Sequence, residues 1–166
     1  MNTTFKEEQK FTQWWIWLIL IPVGFIPIKG IYQQLILGEQ FGDQPMSDTG
    51  LIIFSLFIFS LIALFAVMKL TTTIDKHGIR MHFFPFIKKY VNWNEVKTAK
   101  LVNYGFVGGW GIRMASKYGI VYNIKGNKGL ALELKGGENF LIGTQKENEL
   151  KKVLEHIAIN TKSDTL

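Results

Sequence analysis

The chain holds three histidines, His77, His82 and His156, and no cysteine. Without thiols, disulfides, thiolate metal sites and cysteine nucleophiles are excluded. His77 falls in the turn sequence DKHG, His82 on the polar side of an alternating run, and His156 near the end of a helical pattern. None has a ligand-type neighbour two to four residues on, so each reads as a surface histidine. There is no His-Glu-x-x-His, no Gly-x-Ser-x-Gly and no phosphate loop ending in Gly-Lys-Ser/Thr. The glycine cluster GFVGGWG at 105–111 does not have the Gly-x-Gly-x-x-Gly spacing of a dinucleotide site. It reads as a flexible loop holding Trp110 near a membrane or a partner. What remains is charge. Lys88 and Lys89 follow directly on Phe83, Phe84, Pro85 and Phe86. This inventory points to electrostatic attachment rather than catalysis: no enzyme, no cofactor and no metal site is expected.

Two apolar runs must position that charge. No charge occurs from Phe11 to Ile28, and after Lys29 the run GIYQQLILG continues to Gly38. From Thr49 to Met68 come LIIFSLFIFSLIALFAVM and its flanks, again uncharged. A bilayer core needs about 20 helical residues. Both runs meet that length, and a domain this small could not wrap two helices that are apolar all round. The expected spans are about 13–36 and 49–69, a hairpin over 13–68. Trp14, Trp15 and Trp17 stand at the start as membrane-interface anchors. Pro22 and Pro27 kink the first span, and Lys29 reads as a snorkelling lysine. A cleaved signal peptide is the rival reading for the first run. It is disfavoured by a charge-balanced MNTTFKEEQK and the lack of a small-x-small cleavage site. The connector from Gly38 to Asp48 carries Glu39, Asp43 and Asp48, whereas 16 of the 19 Lys and Arg residues follow the second span. Basic segments stay in the cytoplasm. The expectation is an integral inner-membrane protein with both termini and the following domain cytoplasmic. Residues 1–12 are then a cytoplasmic tail.

After the second span the period changes to two. Ile79, Met81 and Phe83 alternate with Arg80, His82 and Phe84, and YVNW at 90–93 puts Val91 and Trp93 on one side. Further strands are expected at Val96–Val102, GIVYNI (119–124), LALEL (130–134) and FLIG, the last two joined by the turn KGGEN. Thr144 and Glu147 form a Thr-x-x-Glu capping box. Leu150, Val153, Leu154 and Ile157 then recur at helical spacing, from about Lys146 to about Ile159. That helix packs on a sheet or plugs a barrel. A membrane-surface helix is the alternative, weakened by Glu147, Glu149 and Glu155. Residues 161–166 read as a disordered tail.

Two spans, about seven short strands and one closing helix resemble the bacterial pleckstrin-homology (PH-like) domain proteins that carry an N-terminal two-helix membrane hairpin. The resemblance lies in TTTIDKHGIRM after the second span, VNWNEV with Trp93 and Val96 as W-x-x-V, and IGTQKENELKKVL with Gly143, Thr144 and Leu150 entering the helix. It covers roughly 70–160. It implies an α+β domain, an antiparallel β-barrel or sandwich closed by a C-terminal helix. It also implies a non-catalytic binding or assembly module whose partners are lipid, protein or a second copy. In such folds the first inter-strand loops bind anionic headgroups, which makes Lys76, Arg80, Lys88, Lys89, Arg113 and Lys117 the candidate contacts. A diffuse, non-specific attraction of about 1 kcal/mol per basic residue near an anionic leaflet serves as well without a pocket. Nucleic acid is not an expected partner, because the charge is spread and the domain is tethered. The competing class is an accessory subunit of a membrane transport or channel complex, with the hairpin as the working part.

Overall fold

A computed structural model describes the backbone of residues 4–163, and the side chains of these except Ala115 and 158–163. The chain divides into two compact units: one is residues 11–67, the other combines the first ten residues with 68–166.

The first unit is the hairpin. Helix α1 (Trp14–Gly30) runs on through a π-helical segment at Ile31–Ile36, and α2 spans Asp48–Val67. The continuous helix Trp14–Ile36 of 23 residues and the 20-residue α2 are each long and apolar enough to cross a membrane. Their contact uses small residues. Ile16, Leu20, Gly24, Pro27 and Gly30 form the buried stripe of α1, and Leu51, Ser55 and Ile58 that of α2. A Cβ on Gly24 would lie 3.0 Å from Ile62, so the absence of side chain lets the backbones approach. Trp14 and Trp15 are exposed at the start of α1, while the Trp17 indole N–H donates to the Phe11 carbonyl (3.0 Å). At the connector end, the Gln34 amide donates to the Met46 carbonyl (2.8 Å) and to Asp48 (2.7 Å). Lys29 and Ser60 are exposed, and Ser55 satisfies its hydroxyl on the Leu51 carbonyl.

The second unit begins before the hairpin. In FKEEQK the alternation is strict: Phe5, Glu7 and Gln9 are buried, and Lys6, Glu8 and Lys10 exposed. The segment expected as a tail is therefore strand β1 (Phe5–Lys10). It pairs antiparallel with β2 (Lys69–Asp75), Lys10 opposite Lys69. The whole membrane-type hairpin is inserted where a β-hairpin would have its turn. Strands β3 (Gly78–Phe84) and β4 (Ile87–Asn92) complete a four-stranded sheet in the order β1-β2-β3-β4. The second sheet is built from β5 (Val96–Asn103), β6 (Gly111–Ser116), β7 (Gly119–Asn123), β8 (Lys128–Leu134) and β9 (Asn139–Gly143), in the order β5-β8-β9-β7-β6. The β7–β9 pair is parallel. Its close packing needs Gly119, whose φ of +74° is open to glycine and where a Cβ would strike the Asn139 backbone.

The domain is thus two sheets and a C-terminal helix, not a single closed barrel, with nine strands among the described residues rather than about seven. Leu70, Ile74, Ile79, Met81, Phe83 and Val91 supply the buried face of the first sheet. Tyr122, Leu130, Leu132, Phe140 and Ile142 do so in the second. The second sheet is also covered on its other side. Tyr104, Val121 and Leu141 cluster there with Val102, Val107 and Tyr118, so the glycine-rich segment lies over the sheet as a lid of its own. Tyr104 donates to the Gly126 carbonyl (3.1 Å) and accepts from Asn123 (3.1 Å).

Trp93 does not lie on a strand. It opens a 3₁₀ turn (Trp93–Glu95) capped by Asn92 and Glu95, is only half-buried, and donates its indole N–H to the Asp75 carbonyl (2.7 Å). The turn takes it out of the alternation that Val91 obeys. Helix α3 (Glu147–Ser163) extends into the segment expected to be a disordered tail, and 164–166 lie outside the described residues. It packs against β1 and β2, with Leu150 and Val153 buried. The expected Thr144–Glu147 capping box is replaced. Thr144 donates to Glu7 (2.6 Å) and accepts the Lys146 N–H (3.0 Å), while Glu147 pairs with Lys128. The Thr144 backbone N–H, which a capping box would give to Glu147, donates instead to the Lys128 carbonyl (2.8 Å).

Candidate functional site

The register of the first sheet assembles its outer face in three rows. Lys6, Thr73, Arg80 and Tyr90 form one. Glu8, Thr71, His82 and Lys88 form the next. Lys10, Lys69 and Phe84 form the third, at the end where the chain leaves β1 and re-enters at β2. Because alternate residues of a strand share a face, this side collects Lys6, Lys10, Lys69, Arg80 and Lys88 against two carboxylates, Glu8 and, at the end of β2, Asp75. Between the rows lies a shallow depression lined by Thr71, Thr73, Arg80, His82, Lys88 and Tyr90, among others.

Local electrostatics confirm the excess of positive potential. Glu8 is bonded by Lys69 (2.9 Å) and Lys10 (3.1 Å), and these lysines hold its carboxyl below the usual carboxylate value. Burial lowers the His82 imidazole below its ordinary value, and the charges of Lys88 and Lys69 add to that effect. The His82 ring meets Phe84 edge-on at 5.6 Å. Arg80 pairs with Asp75 and lies over the Tyr90 ring, its guanidinium carbon 6.0 Å from the centroid. Burial opposes ionisation of Asp75, but the His77 backbone N–H and Arg80 outweigh it and keep its carboxyl below the ordinary value.

Of the six cations expected as contacts, the structure brings Arg80 and Lys88 together on this face. Lys76 sits in the β2–β3 turn at the far end of the same sheet. Lys89, next to Lys88, points the other way: strand alternation sends it to the inner side, where it pairs with Glu138 and lies 4.7 Å from the centre of the Phe140 ring. Arg113 and Lys117 belong to the second sheet. The Arg113 guanidinium donates to the Trp110 carbonyl (2.7 Å) and lies against Gly109, whose φ is +121° and where a Cβ would come within 2.6 Å of it. Lys117 stacks over Tyr118 at 5.0 Å. Three basic residues of the face, Lys6, Lys10 and Lys69, were not among the candidates. FKEEQK offers no apolar alternation that could have signalled them. Its buried positions are Glu7 and Gln9, polar types that hide a half-buried strand from any hydrophobic pattern.

Among the described residues no group of three or more His, Asp or Glu side chains comes together in a metal-type cluster. The buried polar residues of β1 are structural. Glu7 accepts from Thr144 and from the Gln145 N–H (2.8 Å), and Gln9 donates to the Gly143 carbonyl (2.7 Å). No protein-family model matches this chain, and neither a curated protein nor a solved structure does so.

Proposed function

We propose that this chain is a membrane-anchored, non-catalytic attachment module. Its hairpin spans the cytoplasmic membrane, and the two-sheet domain is held against the inner leaflet by the basic outer face of the first sheet. The observation that carries this reading is the convergence of five cations, against the two carboxylates Glu8 and Asp75, on the face that includes Lys10 and Lys69, the residues flanking the apolar insertion. Each uncompensated positive charge contributes roughly 1 kcal/mol near an anionic surface without a stereospecific pocket. Tethering supplies the high local concentration that makes weak attraction sufficient. The two sheets and closing helix support the PH-like reading. The parallel β7–β9 pair and the strand taken from before the hairpin distinguish this chain from a simple antiparallel meander.

Pairing of β1 with β2 also supports the hairpin topology. Both ends of the insertion return to one sheet, so the chain crosses the membrane an even number of times. The basic content after the second span supports a cytoplasmic position for that sheet. A cysteine at Gln44, in the exposed connector, reacts with an impermeant maleimide in intact cells. One at Ser163 reacts only after lysis. The reverse pattern overturns the orientation.

The attraction itself is read at Thr71, in the middle of the basic face. In full-length protein in nanodiscs, a spin label on Thr71→Cys becomes shielded from a water-soluble nickel complex when the lipid is anionic. Raising salt to about 0.5 M, where the screening length falls to a few ångströms, restores access. Equal access in anionic and zwitterionic nanodiscs rejects the lipid reading of this face. A protein-binding surface on an accessory subunit is the second class of function, and it predicts that equal access.

A further inference from the structure

We infer that the β3–β4 turn, Phe84-Pro85-Phe86, is a bilayer wedge that sits in the lipid interface beside the points where the chain enters and leaves the membrane. The inference rests on the membrane-spanning part of the reading above, and it adds an apolar, salt-insensitive contact to the diffuse electrostatic one.

Register places the turn. Lys10 pairs with Lys69, Lys69 pairs with Phe84, and the chain turns immediately beyond Phe84. Only Met68 separates Lys69 from the last residue of α2. Two residues of chain reach about 7 Å, and the neighbouring strand lies about 5 Å away. If α2 ends at the edge of the hydrocarbon, the turn cannot be more than about 10–15 Å from that edge. The opposite turn, with Lys76, is about 20 Å further along the sheet.

Composition fits that depth. In this otherwise well-packed sheet, Phe84 and Phe86 are 37% and 54% exposed. Phe86 is braced by the buried Phe83, ring centres 6.5 Å apart, and so is presented outward rather than left to collapse. Two solvent-facing phenyl groups at one turn are unfavourable in water and favourable among acyl chains and headgroups. Lys10 and Lys69 share their row with Phe84, and Lys88 stands in the next, so ammonium groups flank the aromatic tip at the level of lipid phosphates. The antiparallel order β1-β2-β3-β4 puts this turn at the same end of the sheet as the chain's two attachment points, so the surface nearest its exposed rings is the bilayer the hairpin enters.

The absence of native cysteine permits single-site labelling. Full-length Phe86→Cys and Lys76→Cys proteins carry a spin label and are placed in zwitterionic and in anionic nanodiscs. The expected result is a label at 86 that is accessible to oxygen and shielded from the nickel complex in both lipids and at high salt, while the label at 76 is more open to nickel than that at 86 in every condition. Phe84→Cys must give the same pattern as Phe86→Cys. Nickel access at 86 equal to that at 76 overturns the wedge. Shielding from nickel without oxygen access also overturns it, because that combination means protein rather than lipid covers the turn. Failure of the anionic reading shows at Thr71 alone and leaves the result at 86 intact.

Discussion

Residues 68–166 expressed without the first ten residues do not fold. Removing β1 exposes Leu70, Thr72 and Ile74 along the edge of β2 and takes away Phe5, which is 2% exposed. Deleting one buried phenyl group costs about 3–5 kcal/mol. Loss of the Glu7 and Gln9 bonds to 143–145 adds to it. The total is comparable with the whole stability of a domain of this size, about 5–15 kcal/mol. Folding returns when residues 1–10 are joined to 69–166 through Asn-Gly, because Lys10 and Lys69 are already paired and a two-residue loop of that type closes an antiparallel hairpin. Circular dichroism and thermal melting of the two soluble chains check this. A cooperative melt from the fragment lacking β1 would show that the strand is dispensable.

Glu7→Ala has the second largest effect. The carboxylate is 4% exposed and accepts two hydrogen bonds where the chain enters α3. Alanine leaves the Thr144 hydroxyl and the Gln145 N–H without this acceptor in a largely dry setting. Each orphaned group costs about 1–3 kcal/mol, so the expected loss is about 2–6 kcal/mol, measured by denaturant unfolding of the joined 1–10/69–166 chain. Glu7→Gln keeps a carbonyl oxygen for one of the two bonds and costs less than half as much. Glu147→Ala, which removes only an exposed ion pair with Lys128, changes stability by less than about 1 kcal/mol. If Glu147→Ala were the more damaging of the two, the helix would be capped locally, as the Thr-x-x-Glu pattern suggests, and the β1 network would be secondary.

The contrast between Glu7 and Glu147 shows where local sequence stops being informative. A capping box is a four-residue pattern, and Thr144 with Glu147 satisfies it. Whether the box forms depends on distant partners: the Thr144 N–H goes to the Lys128 carbonyl and its hydroxyl to Glu7, 137 positions away. Trp93 makes the same point. Its place after Tyr90-Val91-Asn92 continues a two-residue period, but Asn92 and Glu95 close a 3₁₀ turn, and the indole is spent on the β2–β3 turn through Asp75.

The two apolar helices, their short acidic connector, most of the strands from β2 to β9 and the amphipathic character of α3 were legible in the sequence. They depend on hydrophobic runs and on periods of two or 3.6 residues, properties of adjacent residues. Lys88 and Arg80 were legible as surface cations for the same reason. The tertiary structure alone decided that FKEEQK is a strand, because its buried side is polar and becomes favourable only when Gly143, Thr144 and Gln145 arrive to bond it. It alone decided that the strands form two sheets, since pairing order is set by contacts between distant segments. It also separated Lys88 from Lys89: adjacent residues on a strand face opposite ways, and only the packing of the second sheet makes one of those faces the interior. The basic face exists because β1, on one side of the membrane-type hairpin, pairs with β2 on the other. The burial alternation of β1 appears only once that partner is in place.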